Sequence, residues 1–577
     1  QCYAIHLQPT GERRLVRIIL SEQGKDELDC DKYIHYEDGD GREDQWVPQY
    51  ELITNSNDVK AMKKILIEMG QKSIRRHPPS FLCERSDILS AEKEIEVKDI
   101  ESIKFNKCII RTYFKSLFPK PYTSYRMLYF CEKCLLYFID GTVCEDHIDK
   151  NLCQLQKPPG KLIYKKGKLE IYEICGVVDH EYCKRLCYLM KLFIQTKFIV
   201  YHTEHFLFYV AFLVESQRKW SPMAYFARDR GVPQRDDSKS KSSSSSSYQS
   251  SSSLISDNTK DANHLPVASC IATLPPYQHQ GLGELLISLA YELAWREGRQ
   301  GSAEQPLSEM GHALFGNFWK RAVIEQILLH MYAVLEQKHR QDKQSNSSGQ
   351  AFNEIRQAAD NVVQAISGRG VKQSDSVTKK SVKPNNNDIT QRINDVRLIT
   401  TMFYSLPQQN GELMISPFDI AESARIDGND VIYAFWMMDM LIDKEFHYDK
   451  RGDTIQINLT QDNEDSKWEN QGMNLRKVER TNSDRYDIQI TAEKIEKAAS
   501  QLLEHTPHRI NPELLQWKLK DMKQEIILVE QFEMLMREKM QKEKSMYKTQ
   551  ENKKNESKKK MDKDNENENS SDDNAEY

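Results

Sequence analysis

Residues 270–304 decide the fold of this chain, and they read CIATLPPYQHQGLGELLISLAYELAWREGRQGSAE. The apolar run that begins at Cys270 ends at Pro275-Pro276, where a strand must stop because proline cannot donate to a ladder. Gly281 and Gly283 then precede a series of leucines at helical spacing. The stretch therefore predicts a strand, a glycine loop and the start of a helix, a geometry that presents backbone N–H groups to an anion.

The glycine loop by itself does not identify a ligand. Two glycines before a helix also occur in ordinary turns, where they allow tight backbone conformations. The loop has neither the lysine of a Walker loop nor the third glycine of a dinucleotide fingerprint. A turn and a phosphate site both remain open at this point.

The composition limits the class of protein. The chain has 577 residues, of which 39% are hydrophobic, and its net charge is −5. A length of this kind predicts about four domains, and the mean hydropathy of −0.69 indicates sizeable solvated segments beside a folded core. No apolar run approaches the ~20 residues that span a bilayer, so no membrane partner is expected. The net charge argues against tight bulk binding to nucleic acid. Twelve cysteines are too few for a disulfide scaffold, which favours a reducing compartment and a metal or catalytic use.

Four residues are spaced as zinc ligands. Cys131 and Cys134 are separated by two residues, and His147 and Cys153 follow at the distance of a finger loop. Such a set closes a tetrahedral site with no open position, so its role would be structural. The alternative is that these side chains are incidental buried groups, and Cys144 inside the loop is a competing ligand.

The sequence Gln278-x-x-Gly281-x-Gly283 after Leu-Pro-Pro-Tyr, together with this finger, resembles the MYST family of histone acetyltransferases. The resemblance implies a mixed α/β fold, with a GNAT-like acyltransferase core, a zinc finger and a C-terminal helix-turn-helix-like lobe. It also implies acetyl-CoA as substrate, structural zinc, and acetyl transfer to lysines of histone tails in chromatin.

The resemblance assigns roles to particular residues. Glu304 matches the general base that deprotonates the lysine, and Cys270 matches a cysteine proposed either to carry the acetyl group or to shape the pocket. Lys197 matches a lysine that family members acetylate on themselves. The expected acetyl-CoA contacts are Ile271, Ala272, Thr273, Gln278, His279, Gln280, Gly281, Leu282, Gly283, Glu284, Ser308 and Asn317.

The loop departs from the family in its charges. Family members usually carry arginines at positions 279 and 280 and a lysine at 284, whereas this chain has His279, Gln280 and Glu284. Asn317 stands where the family has a serine that contacts the cofactor. The lost cations predict weaker phosphate binding. They leave open an alternative function, a catalytically weakened chromatin reader or scaffold subunit.

The N-terminal segment resembles a Tudor-knot or chromo-barrel module, with predicted strands at 15–20 and 32–36. Tyr33, Tyr36 and Trp46 would form an aromatic surface for a methylated ammonium or contact nucleic acid. The alternative is that these aromatic residues fill a small barrel core.

The predicted domains follow from these segments. Residues 1–54 form the barrel, 55–94 a linker, 95–517 the acetyltransferase domain with its finger at 131–153, and 518–577 a charged helical or disordered tail. Disordered insertions are expected at about 236–260, which is rich in serine, and at 340–390. Residues 415–442 are expected to form the helix-turn-helix-like lobe, with 455–459 as its wing strand. The resemblance implies a nuclear protein that regulates transcription within a multisubunit acetyltransferase complex, with nucleosomes as partners.

Overall fold

The computed structural model of the chain describes most of the predicted folded segments. The described residues are 2–21, 31–37, 42–72, 97–150, 152–194, 200, 202–232, 266–305, 307–342, 349–367, 386–404, 416–443, 446–448, 454–456, 486–488, 490–505, 507–542 and 545.

The first element is a five-stranded antiparallel half-barrel, with strand order β4-β3-β2-β1-β5. Its strands are β1 (Cys2–Leu7), β2 (Arg13–Ser21), β3 (Asp31–Tyr36), β4 (Gln45–Pro48) and β5 (Leu52–Ile53). The side chains of Ala4, Val16, Ile34 and Val47 meet in its buried centre because alternate strand residues point to the same face. Both strands predicted for this segment are confirmed.

A helix, α1 (Ser56–Lys72), follows the barrel where a linker was predicted. Since a helix can also connect two domains, and residues 73–94 lie outside the described part of the chain, the linker at 55–94 stays a prediction. The segment carries four lysines and two methionines together with Ala, Leu, Glu and Gln, all of which favour a helix. The helix contacts the barrel through Lys63, whose Nζ lies 4.2 Å from the ring centre of Tyr3.

The finger region is a second, four-stranded sheet followed by a short helix. Its strands are β6 (Ser102–Phe105), β7 (Cys108–Arg111), β8 (Met127–Phe130) and β9 (Tyr137–Phe138), in the order β7-β6-β8-β9. Helix α2 (Gly141–Asp149) begins at Asp140, whose carboxylate accepts a hydrogen bond from the backbone N–H of Thr142 at 2.8 Å. This cap fixes where the helix starts, and therefore fixes the position of His147 along the helix axis.

The central sheet is antiparallel and has five strands in sequential order. They are β10 (Lys161–Lys166), β11 (Leu169–Cys175), β12 (Phe206–Ser216), β13 (Lys219–Asp229) and β14 (Cys270–Thr273). Alternate residues of β12 enter two different cores: Tyr209 and Ala211 on one face, Phe208 and Val210 on the other. Helix α3 (His180–Lys191) covers the second face, and α4 (Leu282–Arg296) covers the first. The predicted strand–loop–helix at 270–296 is therefore confirmed.

The remaining helices extend the first core. They are α5 (Glu309–Asp342), α6 (Gly349–Ser367), α7 (Asn386–Tyr404), α8 (Pro417–Ala424), α9 (Gly428–Met437) and α10 (Ala492–Leu503). Four short strands complete this lobe as two pairs: β15 (Leu441–Asp443) with β18 (Tyr486–Ile488), and β16 (Phe446–Tyr448) with β17 (Thr454–Gln456).

The disordered insertion predicted at 340–390 is wrong for residues 349–367, which form α6. Ile355, Ala358, Ala359 and Val362 are buried against the first core. They recur at intervals of three and four residues, and this apolar stripe is hidden in a composition that is polar overall. The helix-turn-helix outline at 415–442 is confirmed by α8 and α9. The wing strand is found at 454–456, and residues 457–459 lie outside the described part of the chain.

Contacts divide the chain into two units, residues 1–229 with 251–519, and residues 230–250 with 520–577. In the second unit residues 522–542 are helical, and Arg230 makes an ion pair of 2.9 Å with Glu525. The serine-rich stretch at 236–260 lies outside the described residues. None of the helices described is long and apolar enough to cross a membrane.

Candidate active site and metal centre

The four predicted zinc ligands converge in the structure. The ligand atoms of Cys131, Cys134, His147 and Cys153 all lie within 4.8 Å of one another, and all four residues are buried. Cys131 and Cys134 belong to the turn between β8 and β9, where Leu135 adopts a left-handed φ of 59°. Helix α2 carries the histidine, whose Nε2 lies 3.3 Å from the Sγ of Cys134.

The donor set fits a structural zinc ion. Hydrogen bonds from the thiols of Cys131 and Cys134 lower the pKa of Cys153, which favours the thiolate form that binds a metal. Three sulfurs and one imidazole nitrogen around a common centre are the ligands of a closed tetrahedral site. Cys144 is buried on α2 outside this cluster, so the structure does not support it as a competing ligand.

The glycine loop opens helix α4 without a side-chain cap. Gly281 is the residue before the helix, has a left-handed φ of 77° and forms no side-chain cap bond. The first backbone bond of the helix runs from the N–H of Leu285 to the carbonyl of Gly281, at 3.0 Å. The N–H groups of Leu282, Gly283 and Glu284 precede that bond, so helical hydrogen bonding leaves them available to an anion.

The approach to this loop is shaped by two other segments. A Cβ atom on Gly281 would lie 2.2 Å from Nδ1 of His508, so the imidazole covers one side of the loop. On Gly283 a Cβ would lie 3.1 Å from the side chain of Leu314 on α5. Gln278 stabilises the loop by donating from its side chain to the carbonyl of Thr273 at 3.0 Å.

The carboxylate of Glu284 is directed toward protein groups. Its Oε2 accepts a hydrogen bond from the backbone N–H of His508 at 3.0 Å, and its Oε1 lies 3.4 Å from Nε of Arg321. The negative charge that replaces the family's lysine is therefore largely balanced by a cation on α5.

Strand β14 forms the end of the central sheet and carries Cys270. Its residues pair with β13, Cys270 opposite Ala227 and Thr273 opposite Ala224. The thiol of Cys270 is buried at 6% exposure in the second core, whereas Ile271 packs against the first. The three residues after Cys270 are half-buried, as expected for a strand along which a ligand lies.

The segment that carries Glu304 is held against both β14 and the helical lobe. The backbone N–H of Val267 donates to the carbonyl of Ser302 at 2.8 Å, three residues before Cys270 and two before Glu304. Gly301 donates to the carbonyl of Arg425 at 3.2 Å and accepts from the N–H of Asp427 at 2.9 Å. These bonds place Glu304, which is half-buried, at the same edge of the fold as Cys270.

A buried acid supports that segment from α9. Asp430 is 4% exposed, and its pKa is raised well above its usual range by burial and by the neighbouring Asp427. It exchanges hydrogen bonds with Ser302 and with the hydroxyl of Tyr291, which lies 3.5 Å away. The indole of Trp319 donates to the same hydroxyl at 2.7 Å. The network links α4, α5 and α9 to the Glu304 segment.

Two of the expected cofactor contacts belong to the region of α5: Ser308 immediately precedes the helix, and Asn317 lies within it. The hydroxyl of Ser308 accepts from the N–H of Gly311 at 3.1 Å, an interaction that caps the start of α5. Asn317 is exposed two turns further along this helix. Both side chains are thus accessible on the side of α5 where Leu314 approaches the glycine loop.

Family models match the segments that build these sites. Residues 97–151 match the MYST family zinc finger domain. Residues 157–237 and 255–397 match the MOZ/SAS family. These segments belong to the MYST family. The MOZ/SAS match is interrupted within the serine-rich stretch, where an insertion was expected.

Similar proteins carry names from the same family. The chain is 29% identical over 313 residues to "Histone acetyltransferase of the MYST family 1" of Arabidopsis thaliana, covering 52% of this chain and 63% of that protein. It is 31% identical over 314 residues to "Putative MYST-like histone acetyltransferase 1" of Oryza sativa subsp. japonica, covering 52% and 62%. It is 33% identical over 239 residues to "Histone acetyltransferase MOF" of Drosophila melanogaster, covering 41% and 25%. The chain thus spans less than two thirds of the length of these relatives.

Two other predicted sites have a different outcome. Tyr33 and Tyr36 are each 1% exposed, and the hydroxyl of Tyr33 accepts from the N–H of Lys98. Tyr36 belongs to the buried centre of the barrel, as the alternative interpretation held, whereas Tyr33 points to the opposite face of β3 and is buried there, so neither forms an open aromatic surface. Trp46 is half-buried with its ring edge against Tyr33. Lys197 lies outside the described residues, and its modification stays a prediction.

Sequence reasoning missed the residues that support the MYST site from a distance. Arg321, His508 and Asp430 lie far along the chain from the loop and segment that they contact, so no local spacing relates them. The one signal was the unexpected Glu284, because a carboxylate at a phosphate loop requires a compensating cation.

Proposed function

We propose that this protein transfers the acetyl group of acetyl-CoA to lysine side chains of histone tails. The observation that carries the proposal is the meeting of two features at one edge of a MYST-family fold. One is the uncapped start of α4 behind Gly281, and the other is the segment that holds Glu304 beside β14.

The acyl donor is held by main-chain groups. The N–H groups of Leu282, Gly283 and Glu284 lie at the N-terminal end of α4, where partial positive charge accumulates. This end of the helix suits the pyrophosphate of acetyl-CoA. Strand β14 offers backbone groups to the pantetheine arm, with Ser308 nearby at the start of α5.

Glu304 acts as the general base. A free lysine has a pKa of ~10.4 and is protonated at neutral pH, so it cannot attack until it loses a proton. The carboxylate of Glu304 takes that proton as the amine nitrogen bonds to the thioester carbonyl carbon. The carbon–sulfur bond then breaks, the amide remains on the lysine, and the leaving CoA thiolate takes up a proton.

Direct attack in a ternary complex is the proposed route. Cys270 is 6% exposed among apolar side chains, a setting that favours a packing role over a nucleophilic one. An acetyl-cysteine intermediate would require this thiol to leave that core. We assign Cys270 to shaping the pocket.

The names of the relatives support the proposed substrate and compartment. The similar proteins are named histone acetyltransferases, which supports histone tails as substrate and the nucleus as the place of action. Transcription regulation, membership of a multisubunit complex and acetylation of Lys197 are proposed on the same basis. Acetyl-lysine mass spectrometry of the purified protein tests the last of these.

Radiolabelled acetyl transfer to core histones tests the enzyme assignment. Glu304→Gln should lose at least 100-fold in kcat, a typical contribution of general base catalysis, while acetyl-CoA binding is unchanged. Glu336→Gln is the matched control because Glu336 lies on the surface of α5, paired with Arg340. Equal activity of wild type and Glu304→Gln would remove Glu304 as the base. Absence of acetyl-CoA binding by the wild-type protein would refute the function itself.

A further inference from the structure

The phosphate loop of this protein lacks the cations usual in its family, yet a cluster of positive charge lies beside it. The cluster consists of Arg321 and Lys320 on α5 and Arg509 in the segment after α10. Burial and the charge of Arg321 lower the pKa of Lys320. Burial also lowers the pKa of Arg321; the carboxylate of Glu284 acts to raise it, and the charge of Arg509 acts to lower it. By residue count, the cluster places three cationic side chains beside the one carboxylate of Glu284.

Arg321 has unused hydrogen-bonding capacity at this place. The residue is buried, with only 5% of its surface exposed. Nη2 donates to the carbonyl of His505 at 3.0 Å, and Nε lies 3.4 Å from Glu284. Nη1 is buried and has no hydrogen-bond partner among the described residues. A buried guanidinium donor without a partner is costly, so an anion at this position would stabilise it.

The position of Arg321 on α5 matches a ligand that crosses from the glycine loop. Leu314 contacts the position of Gly283, and Arg321 follows seven residues later on the same helix face. Asn317, an expected cofactor contact, is exposed one turn before Arg321. Glu284 in the first turn of α4 draws the guanidinium toward the helix end, where the N–H groups are available.

We propose that Arg321, with Arg509 beside it, supplies from outside the loop the positive charge that binds the phosphates of acetyl-CoA. This inference rests on the proposed function, because it names the residues that hold the donor of that reaction. The shared chemistry is a phosphate group, which CoA carries both in its pyrophosphate and on its ribose. Glu284 then competes with the phosphates for Arg321 and weakens the attraction between its guanidinium and the ligand.

Calorimetric binding of CoA, dephospho-CoA and pantetheine to the full chain tests the proposal. Arg321→Gln should raise the Kd for CoA by about 10-fold or more, because a charge-assisted bond is lost, and should leave pantetheine binding unchanged. If dephospho-CoA weakens equally, the pyrophosphate is the bound group. If only CoA weakens, the ribose phosphate is the bound group. Arg340→Gln on the exposed end of α5 is the matched control and should bind CoA like the wild type.

Two further variants separate binding from folding. Glu284→Gln removes the competing carboxylate and should tighten CoA binding several-fold, an effect that a purely structural ion pair would not produce. The double variant Glu284→Gln with Arg321→Gln leaves neither charge unpaired, so it should fold like the wild type by circular dichroism and still bind CoA weakly. Wild-type binding of CoA by Arg321→Gln, or weaker binding by Glu284→Gln, would overturn the proposal while leaving the acetyltransferase function standing. Absence of CoA binding by the wild type would refute both.

Discussion

Gly281→Ala should destabilise the fold more than the same substitution at a left-handed glycine whose new Cβ would meet no neighbouring atom. A left-handed φ costs a residue with a Cβ about 1–2 kcal/mol, and alanine regains about 0.4–1 kcal/mol by restricting the unfolded chain. At Gly281 the new Cβ would also lie 2.2 Å from the ring of His508, inside any real contact. Overpacking of this kind costs about 1–3 kcal/mol. We therefore expect a loss of roughly 2–4 kcal/mol in the free energy of unfolding.

Gly298 provides the control for this prediction. It has nearly the same φ, 75°, and a Cβ there would meet nothing within 4 Å. Gly298→Ala should thus show only the backbone cost, about 1 kcal/mol. The difference between the two variants isolates the contact with the His508 ring. Urea unfolding followed by tryptophan fluorescence measures both.

A double-mutant cycle with His508→Ala decides the cause. If the imidazole covers the loop, Gly281→Ala in that background should cost no more than Gly298→Ala, which corresponds to a coupling energy of about 1–3 kcal/mol. Equal destabilisation by the two glycine variants in the wild-type background would refute the placement of His508 over the loop.

Three other perturbations have defined outcomes. Cys131→Ser should abolish stoichiometric zinc in metal analysis and unfold the finger, whereas Cys144→Ser should retain both because Cys144 lies outside the ligand cluster. Burial raises the pKa of Asp430, so the free energy of unfolding should fall as the pH rises from about 4 through the folded-state pKa. Asp430→Asn should flatten that pH dependence in denaturation curves. An unchanged slope in the variant would contradict the buried neutral acid. Glu173→Ala should cost about 2–4 kcal/mol in urea unfolding, because it leaves two buried donors unpaired, one of them the indole of Trp517 at 2.8 Å; a loss below 1 kcal/mol would refute this.

Sequence patterns predicted the parts of the site that are local in the chain. The finger ligands follow a spacing that a turn and one helix satisfy, and the loop before α4 is marked by prolines and glycines within a dozen residues. Helical periodicity also predicted α4. Composition misled where an apolar stripe was diluted by polar residues, as in α6.

The contacts that tune the site could not be predicted because they join distant segments. Glu284 was visible as an anomaly, but its partner Arg321 lies 37 positions later, on a different helix from the one that Glu284 opens. His508 lies 224 positions away and meets the same carboxylate through its backbone. Pairing of this kind depends on how helices pack, which a single sequence does not encode in any local spacing.

The helix-turn-helix outline illustrates how a familiar local shape can serve a different purpose. Helix-turn-helix motifs are familiar from DNA-binding proteins. Here the turn is used within the protein: Arg425 and Asp427 bond to the N–H and carbonyl sides of Gly301, and Asp430 bonds to Ser302. A peptide segment fixed by three such bonds loses most of its freedom before substrate arrives, and a base held in place contributes more to catalysis than a mobile one. Under the proposed function, the lobe would assist the chemistry by restricting the Glu304 segment. A substitution of Asp430 should therefore lower kcat and leave acetyl-CoA binding unchanged.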